Sequence, residues 1–181
     1  MNITVYLGAN LGNDPALSEA AHRLGALIAK NGHTLVYGGS KKGLMGILAQ
    51  SALDAGGRVV GVEPQIFIDS CAQLEGLTEL IVTPTMSTRK QKMIELGDAF
   101  IAFPGGTGTL EEIAEVISAV SLGWSHAPCI LFNLNGYYNS FRIFLREMIE
   151  AGLSTEERQK DILFLDTIEE ICAVLRMEVT A

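Results

Sequence analysis

Short apolar runs alternate with longer amphipathic stretches from one end of this chain to the other. Runs at residues 3–7, 35–37, 59–62, 79–82, 99–103, 130–132 and 162–165 are apolar nearly throughout, the pattern of strands buried on both faces. Between them lie helical stripes. Leu17, Ala20, Ala21, Leu24, Leu27 and Ile28 share one face of a helix at residues 15–30, with Asp14 as N-cap, Pro15 in its first position and Asn31-Gly32 at its end. A second helix turns Ile47, Leu48, Ser51, Ala52 and Ala55 inward and stops at Gly56-Gly57. A third carries Met86, Arg89, Lys90 and Met93 on adjacent faces, then Ile94 and Leu96. In a fourth, Ile113, Val116, Ile117 and Val120 fall at i, i+3, i+4 and i+7. Residues 137–151, ended by Gly152, and 167–176, capped by Asp166, read as the last two helices. Residues 63–76 fit neither period and read as an irregular flap or a short helix. Strictly alternating β and α predict one α/β domain over residues 1–181: a doubly wound parallel sheet of about seven strands with helices on both faces.

Two glycine clusters sit where a strand hands over to a helix. Pro104-Gly105-Gly106-Thr107-Gly108-Thr109-Leu110-Glu111-Glu112 follows the fifth strand, and Tyr37-Gly38-Gly39-Ser40-Lys41-Lys42-Gly43-Leu44-Met45-Gly46 follows the second. Such turns lie at the carboxyl end of an α/β sheet, where ligands bind. Glycine lets backbone N–H groups approach an anion, and the helix N-terminus adds unpaired donors and partial positive charge. The first cluster reads as a phosphate cradle with the Glu112 carboxylate just inside it. Thr109 and Glu112 also have the spacing of a capping box, so Glu112 has a structural reading as well. Lys41 and Lys42 either meet a ligand phosphate or are solvated loop charges. Arg89 and Lys90 fall in the first turns of their helix, where the dipole disfavours cations; an anion nearby would account for them. Neither G-x-G-x-x-G nor G-x-x-x-x-G-K-[ST] is present, which argues against a nicotinamide oxidoreductase or a P-loop enzyme.

Composition narrows the partners. The net charge of −8 argues against nucleic acid as a general partner, although a small anionic ligand needs only a local positive patch. No apolar run is long enough for a membrane span, and the N-terminus lacks the pattern of a signal peptide. Three widely spaced cysteines, Cys71, Cys129 and Cys172, suggest neither a disulfide framework nor a zinc site and fit a reducing, cytoplasmic setting. His22, His33 and His126 are scattered and suggest no metal site.

Four blocks in order carry a resemblance that spans nearly the whole chain. Pro104-Gly105-Gly106-Thr107-Gly108-Thr109-x-x-Glu112 matches a P-G-G-x-G-T-x-x-E signature; Arg89-Lys90 matches a second; Tyr37-Gly38-Gly39 with Gly43-Leu44-Met45-Gly46 a third; Asn135-Gly136-Tyr137-Tyr138 a fourth. The chain resembles the Lonely Guy (LOG) family of cytokinin riboside 5′-monophosphate phosphoribohydrolases. The resemblance implies a Rossmann-like fold, a homodimer, and hydrolysis of the N-glycosidic bond of a nucleoside 5′-monophosphate without a cofactor or metal. It implies catalytic roles for Arg89 and Glu112, with Gly8, Gly38, Gly39, Gly43, Met45, Met86, Lys90, Gly105, Gly106, Thr107, Gly108, Thr109 and Glu111 around the substrate. Members are often labelled lysine decarboxylases; no lysine here can be nominated for the Schiff base that pyridoxal phosphate requires. Three stretches depart from the family pattern: Gly8-Ala9-Asn10 stands where G-S-S is common, Gly38-Gly39-Ser40 where G-G-G is common, and residues 68–73 carry no glutamate at a place where members often have one that meets the substrate. The alternative function is a non-catalytic carrier of a nucleotide or phosphorylated cofactor, of molybdopterin type, on the same fold.

Overall fold

A computed structural model describes residues 1–70 and 72–179; Cys71, named above, lies outside the described residues. Seven strands form one all-parallel sheet: β1 (Asn2–Tyr6), β2 (Thr34–Tyr37), β3 (Arg58–Pro64), β4 (Glu79–Thr83), β5 (Ala99–Ala102), β6 (Cys129–Phe132) and β7 (Ile162–Leu165). Their order is β4-β3-β2-β1-β5-β6-β7. This is the Rossmann-like arrangement expected from the alternating pattern. The chain winds outward from β1 in one direction as far as β4, returns to place β5 beside β1, then winds the other way. Val5 pairs with Ile101 and Tyr6 with Ala102 at that junction. The connections leaving β1 and β5 diverge there and open a crevice beyond the strand ends.

Strand alternation sends successive side chains to two cores. On one face Ile3, Val5, Leu35, Tyr37, Ile101, Phe103 and Ile130 pack under α1 (Pro15–Lys30), α2 (Gly43–Asp54) and α8 (Ile168–Leu175). On the other Tyr6, Val36, Val60, Val62, Phe100 and Leu131 pack under α4 (Met86–Leu96), α5 (Thr107–Ser121) and α6 (Asn139–Glu150). Two single-turn helices, α3 (Gln65–Ile68) and α7 (Glu156–Gln159), complete the set. The irregular stretch after the third strand thus contains one helical turn, too short to cover the edge strand. Leu80 and Val82 on β4 are accordingly exposed.

Several local expectations hold and two are corrected. Helix α1 begins at Pro15 with Asp14 Oδ1 accepting from the Ala16 N–H at 2.9 Å. Helix α8 is capped by Thr167, not Asp166: Thr167 Oγ1 accepts from the Glu170 N–H while Glu170 Oε2 reaches back to the Thr167 N–H. That reciprocal pair satisfies two donors, which one carboxylate at residue 166 would not. Met93, grouped above with Met86, Arg89 and Lys90, is fully buried in the second core and away from the cavity lining. In α2, Leu48, Ser51 and Ala52 are buried as expected, Ile47 and Ala55 are half-buried and pack against the first core, and Leu44 joins them.

Helices α1 and α2 pack closely, and Gly25 permits it. A Cβ at Gly25 would overlap the carbonyl oxygen of Leu48 and stand 3.3 Å from the Ala52 nitrogen. Intrinsic helix propensity favours Gly25→Ala by about 1 kcal/mol, whereas forcing atoms into a packed contact costs about 1–3 kcal/mol. The overlap is with backbone and has no rotamer to escape into, so it prevails. Gly25→Ala is expected to lower the melting temperature by several degrees in a thermal melt; an unchanged or raised value would show that the helices separate freely.

Candidate active site

The crevice at the β1/β5 junction holds a cavity of about 520 Å³. Four strand ends supply its walls. Leu7, Gly8, Ala9 and Asn10 follow β1; Gly38, Ser40 and Lys42 follow β2; Glu63 lies near the end of β3; Gly106, Thr107, Gly108 and Thr109 follow β5 and open α5. Helix α4 adds Met86 and Arg89, α5 adds Glu111 and Glu112, α2 adds Met45, and the α3 region adds Phe67, Ser70 and Ala72.

At its floor Arg89 Nη1 donates to Glu112 Oε1, and both side chains are nearly buried, at 10% and 8% exposure. Arg89 Nε donates to the carbonyl of Val62 at 3.2 Å, which ties α4 to the end of β3. Burial pushes the Glu112 carboxyl above its usual range, and the Arg89 charge and hydrogen bond pull it back. The Tyr6 hydroxyl is buried close by without a partner, and burial followed by the Glu112 charge drives its pKa upward. The anion that makes sense of cations early in α4 is therefore partly the protein's own. Lys90 goes to Glu111 at 2.7 Å and Glu115 at 2.6 Å, two bonds that raise its pKa.

The capping-box reading of Glu112 is corrected. Helix α5 begins at Thr107 with Gly106 as N-cap, and no side chain caps it. Glu112 is the sixth helical residue, beyond reach of the capping position, and Thr109 is buried inside the first turn. The first-turn N–H groups thus point toward the cavity end with no side-chain acceptor, an arrangement that suits an anion. The loop ahead of them is braced from outside. Tyr137 donates to the Gly105 carbonyl at 2.5 Å and Tyr138 to that of Phe103 at 2.8 Å. Asn133, buried, accepts from the Tyr138 N–H at 2.7 Å and donates to Asp166 and Asn139, which holds both tyrosines in place. The fourth sequence block works through this bracing.

Of the residues expected around a substrate, Gly8, Gly38, Met45, Met86, Arg89, Gly106, Thr107, Gly108, Thr109, Glu111 and Glu112 line the cavity. Gly39, Gly43, Gly105 and Lys90 do not, and each has another task. Gly43 has φ +57°, and a Cβ there would overlap the backbone of Ala9, so the loop after β2 rests directly on the loop after β1. A Cβ at Gly105 would overlap Thr109. Gly39, at φ +84°, turns the chain past Glu63. Lys42 lines the cavity while Lys41 borders a shallow cleft with His22, which separates two adjacent lysines that sequence treated alike. Glu63 went unnoticed. Its signal was available: an acidic residue at the carboxyl end of an apolar strand, the same topological position as the glycine turns.

Fold and cavity together define a doubly wound α/β protein with an uncapped helix N-terminus and a buried Arg–Glu pair at the switch point. The profile of the family described as "Possible lysine decarboxylase" matches residues 45–175. The chain is 42% identical over 177 residues to the cytokinin riboside 5′-monophosphate phosphoribohydrolase of Rhodococcoides fascians, covering 97% of this chain and 89% of that protein. It is 36% identical over 176 residues to the cytokinin riboside 5′-monophosphate phosphoribohydrolase LOG of Oryza sativa subsp. japonica, covering 97% and 72%. Among solved structures, the molybdenum cofactor binding protein of Rippkaea orientalis superposes with a TM-score of 0.72 at 24% identity, covering 97% of this chain and 94% of that one. That last likeness is one of fold. This chain belongs to the LOG family.

Breaking the buried pair has a pH signature. Removing Arg89 leaves Glu112 buried without its cation, a change worth about 3–5 kcal/mol where the carboxyl is ionised. A carboxyl whose folded pKa is raised favours the folded state fully below its unfolded pKa and loses that contribution as pH rises through the folded pKa. With the opposing Arg89 gone, the upward displacement by burial grows. In urea denaturation, the stability gap between the wild type and Arg89→Leu should therefore be wide at pH 8 and narrow near pH 5. A gap independent of pH would mean that Glu112 is solvated.

Proposed function

We propose that the cavity binds a nucleoside 5′-monophosphate, with adenine or an N6-substituted adenine as base, and that the protein hydrolyses its N-glycosidic bond to free base and ribose 5-phosphate. The observation that carries this reading is the buried Arg89–Glu112 pair beside the uncapped N-terminus of α5. The curated relatives are named for this reaction on cytokinin nucleotides, and the family membership supports extending it to this chain.

In this reading the 5′-phosphate sits against the N–H groups of Thr107, Gly108 and Thr109 and the hydroxyl of Thr107, with the helix dipole behind them. Binding that unreacting group positions the sugar, so its energy is used at C1′. Glycosidic cleavage builds positive charge on the sugar ring, which a carboxylate beside it stabilises. Arg89 holds Oε1 of Glu112 and leaves Oε2 for the ribose or the attacking water. The Arg89 guanidinium also meets electron density building on the departing base. It keeps its own proton at any working pH, so it stabilises without donating. Lys90, bonded to Glu111 and Glu115, positions α4 against α5. A carrier of a phosphorylated cofactor remains the competing reading, and the likeness to molybdenum cofactor proteins, being one of fold, does not favour it. Assembly as a homodimer is part of the proposal: Trp124, 80% exposed, lies with exposed Leu110, Leu122 and Met86 around α5 and the cavity mouth, apolar surface suited to a second copy.

Three measurements test these statements. Glu112→Gln keeps the volume and removes the charge, and should lower kcat on the nucleotide by about 10²–10³ while nucleotide binding stays close to wild type; the melting temperature should fall, because Arg89 is left buried without its anion. Retained turnover would leave Glu112 a structural residue. Adenosine should be hydrolysed with a kcat/KM lower than that of AMP by on the order of 100-fold, and equal rates would remove the phosphate from the argument. Sedimentation at micromolar concentration should show a dimer; a monomer alone would overturn the assembly.

A further inference from the structure

Among the described residues, Glu63 is the buried charged-type side chain at the cavity that the mechanism above does not use. It is 1% exposed, it borders the cavity, and its Oε2 has no hydrogen-bond partner. Its surroundings offer little to an anion. From β2, the Tyr37 hydroxyl is also buried and unpartnered. Gly39 presents no side chain: a Cβ there would stand 3.2 Å from Oε2. From β4, Thr83 Oγ1 reaches only the Glu63 backbone carbonyl, at 3.5 Å. From α4 comes one cation, Arg89, whose Nη1 is committed to Glu112 and whose Nε is committed to Val62. A carboxylate buried without a partner is unfavourable, and such groups hold their proton instead. Burial pushes the Glu63 carboxyl upward, with Arg89 opposing.

The site thus contains two buried carboxyl groups near one guanidinium. Glu112 has an ion pair with it and Glu63 has none, a difference in environment of the kind that sets the pKa values of two carboxyls apart. We propose that Glu63 is the acid that protonates the leaving base, a role that rests on the hydrolase reading above and that Arg89 is chemically unable to fill. The Glu63 O–H gives its proton to a ring nitrogen of the base as the C1′–N bond breaks and its electron pair leaves with the base. Water adds its oxygen to C1′ and loses a proton to Glu112. One water is consumed, free base and ribose 5-phosphate are released, and the proton held by Glu112 passes to solvent while Glu63 regains one from it.

Leaving-group chemistry separates this role from others. AMP needs its base protonated; 4-nitrophenyl β-ribofuranoside 5-phosphate releases a nitrophenolate that needs no proton. With purified protein, Glu63→Gln should lower kcat on AMP by about 10²–10⁴ and kcat on the nitrophenyl substrate by less than about tenfold. Glu112→Gln should lower both. Glu63→Val, which removes the buried polar group and with it any unpartnered amide, should give the same split, so an unstable Glu63→Gln does not end the test. Equal losses on the two substrates, or none on AMP, overturn the acid role and leave the hydrolase reading standing. A wild-type protein inert toward both overturns the hydrolase reading and the acid role with it.

Discussion

The contact between Arg89 and Glu112 joins the two halves of this molecule. Arg89 belongs to α4, which leads from the outermost strand of one half back to the centre, and Glu112 belongs to α5, which opens the other half. The pair lies at the switch point, beside the backbone hydrogen bond from the Phe103 N–H to the Tyr6 carbonyl. Its burial makes it demanding: neither charge is solvated, so each depends on the other. The second bond of Arg89, to Val62, and the paired bonds of Lys90 to Glu111 and Glu115 fix the two helices in the spacing that this contact needs. Such a polar floor adds little net stability compared with apolar packing. What it supplies is a charged, nearly buried surface at the floor of the cavity.

Around that floor the backbone is brought closer than side chains would allow. The loop after β2 lies on the loop after β1 because Gly43 has no Cβ, and the turn after β5 folds onto Thr109 because Gly105 has none. A Cβ at Gly38 would overlap Arg89 Nη2 and stand 2.9 Å from Met45 Sδ, so the guanidinium comes close to the main chain there. Close approach leaves the N–H groups of the α5 turn bare, and the tyrosines at 137 and 138 hold that turn from the outside. The second core under α4, α5 and α6 thereby supports the site from below and from behind.

Much of the fold was legible. Each of the seven apolar runs became a strand, and α1 begins and ends where Asp14-Pro15 and Asn31-Gly32 place it. The cavity's location was legible too, because both glycine clusters fall at strand-to-helix junctions on the carboxyl side of the sheet, and residues of both line it. Errors concentrated where two local solutions compete. Thr109 and Glu112 have capping-box spacing, yet the helix starts three residues earlier than that spacing places it, because glycine at 106 serves as cap and frees Thr109 to pack inward. Met93 follows Arg89 and Lys90 along α4 and seemed to belong with them, but one turn of helix carries it from the cavity side to the core.

The chain by itself determined the strand count, the parallel character, the two glycine turns and the family, because all of these are encoded in period and spacing, which are local. Tertiary structure alone decided how the charges pair. Whether Lys90 faces a ligand or two glutamates, whether Lys42 or Lys41 borders the cavity, and whether Glu63 is solvated or sealed all depend on residues 20 or more positions away. No local pattern reports such distances. Electrostatic environment arises from what surrounds a group in space, and here the sheet order brings the ends of β1, β2, β3 and β5 together. That convergence left one buried carboxyl with a cation and the other without.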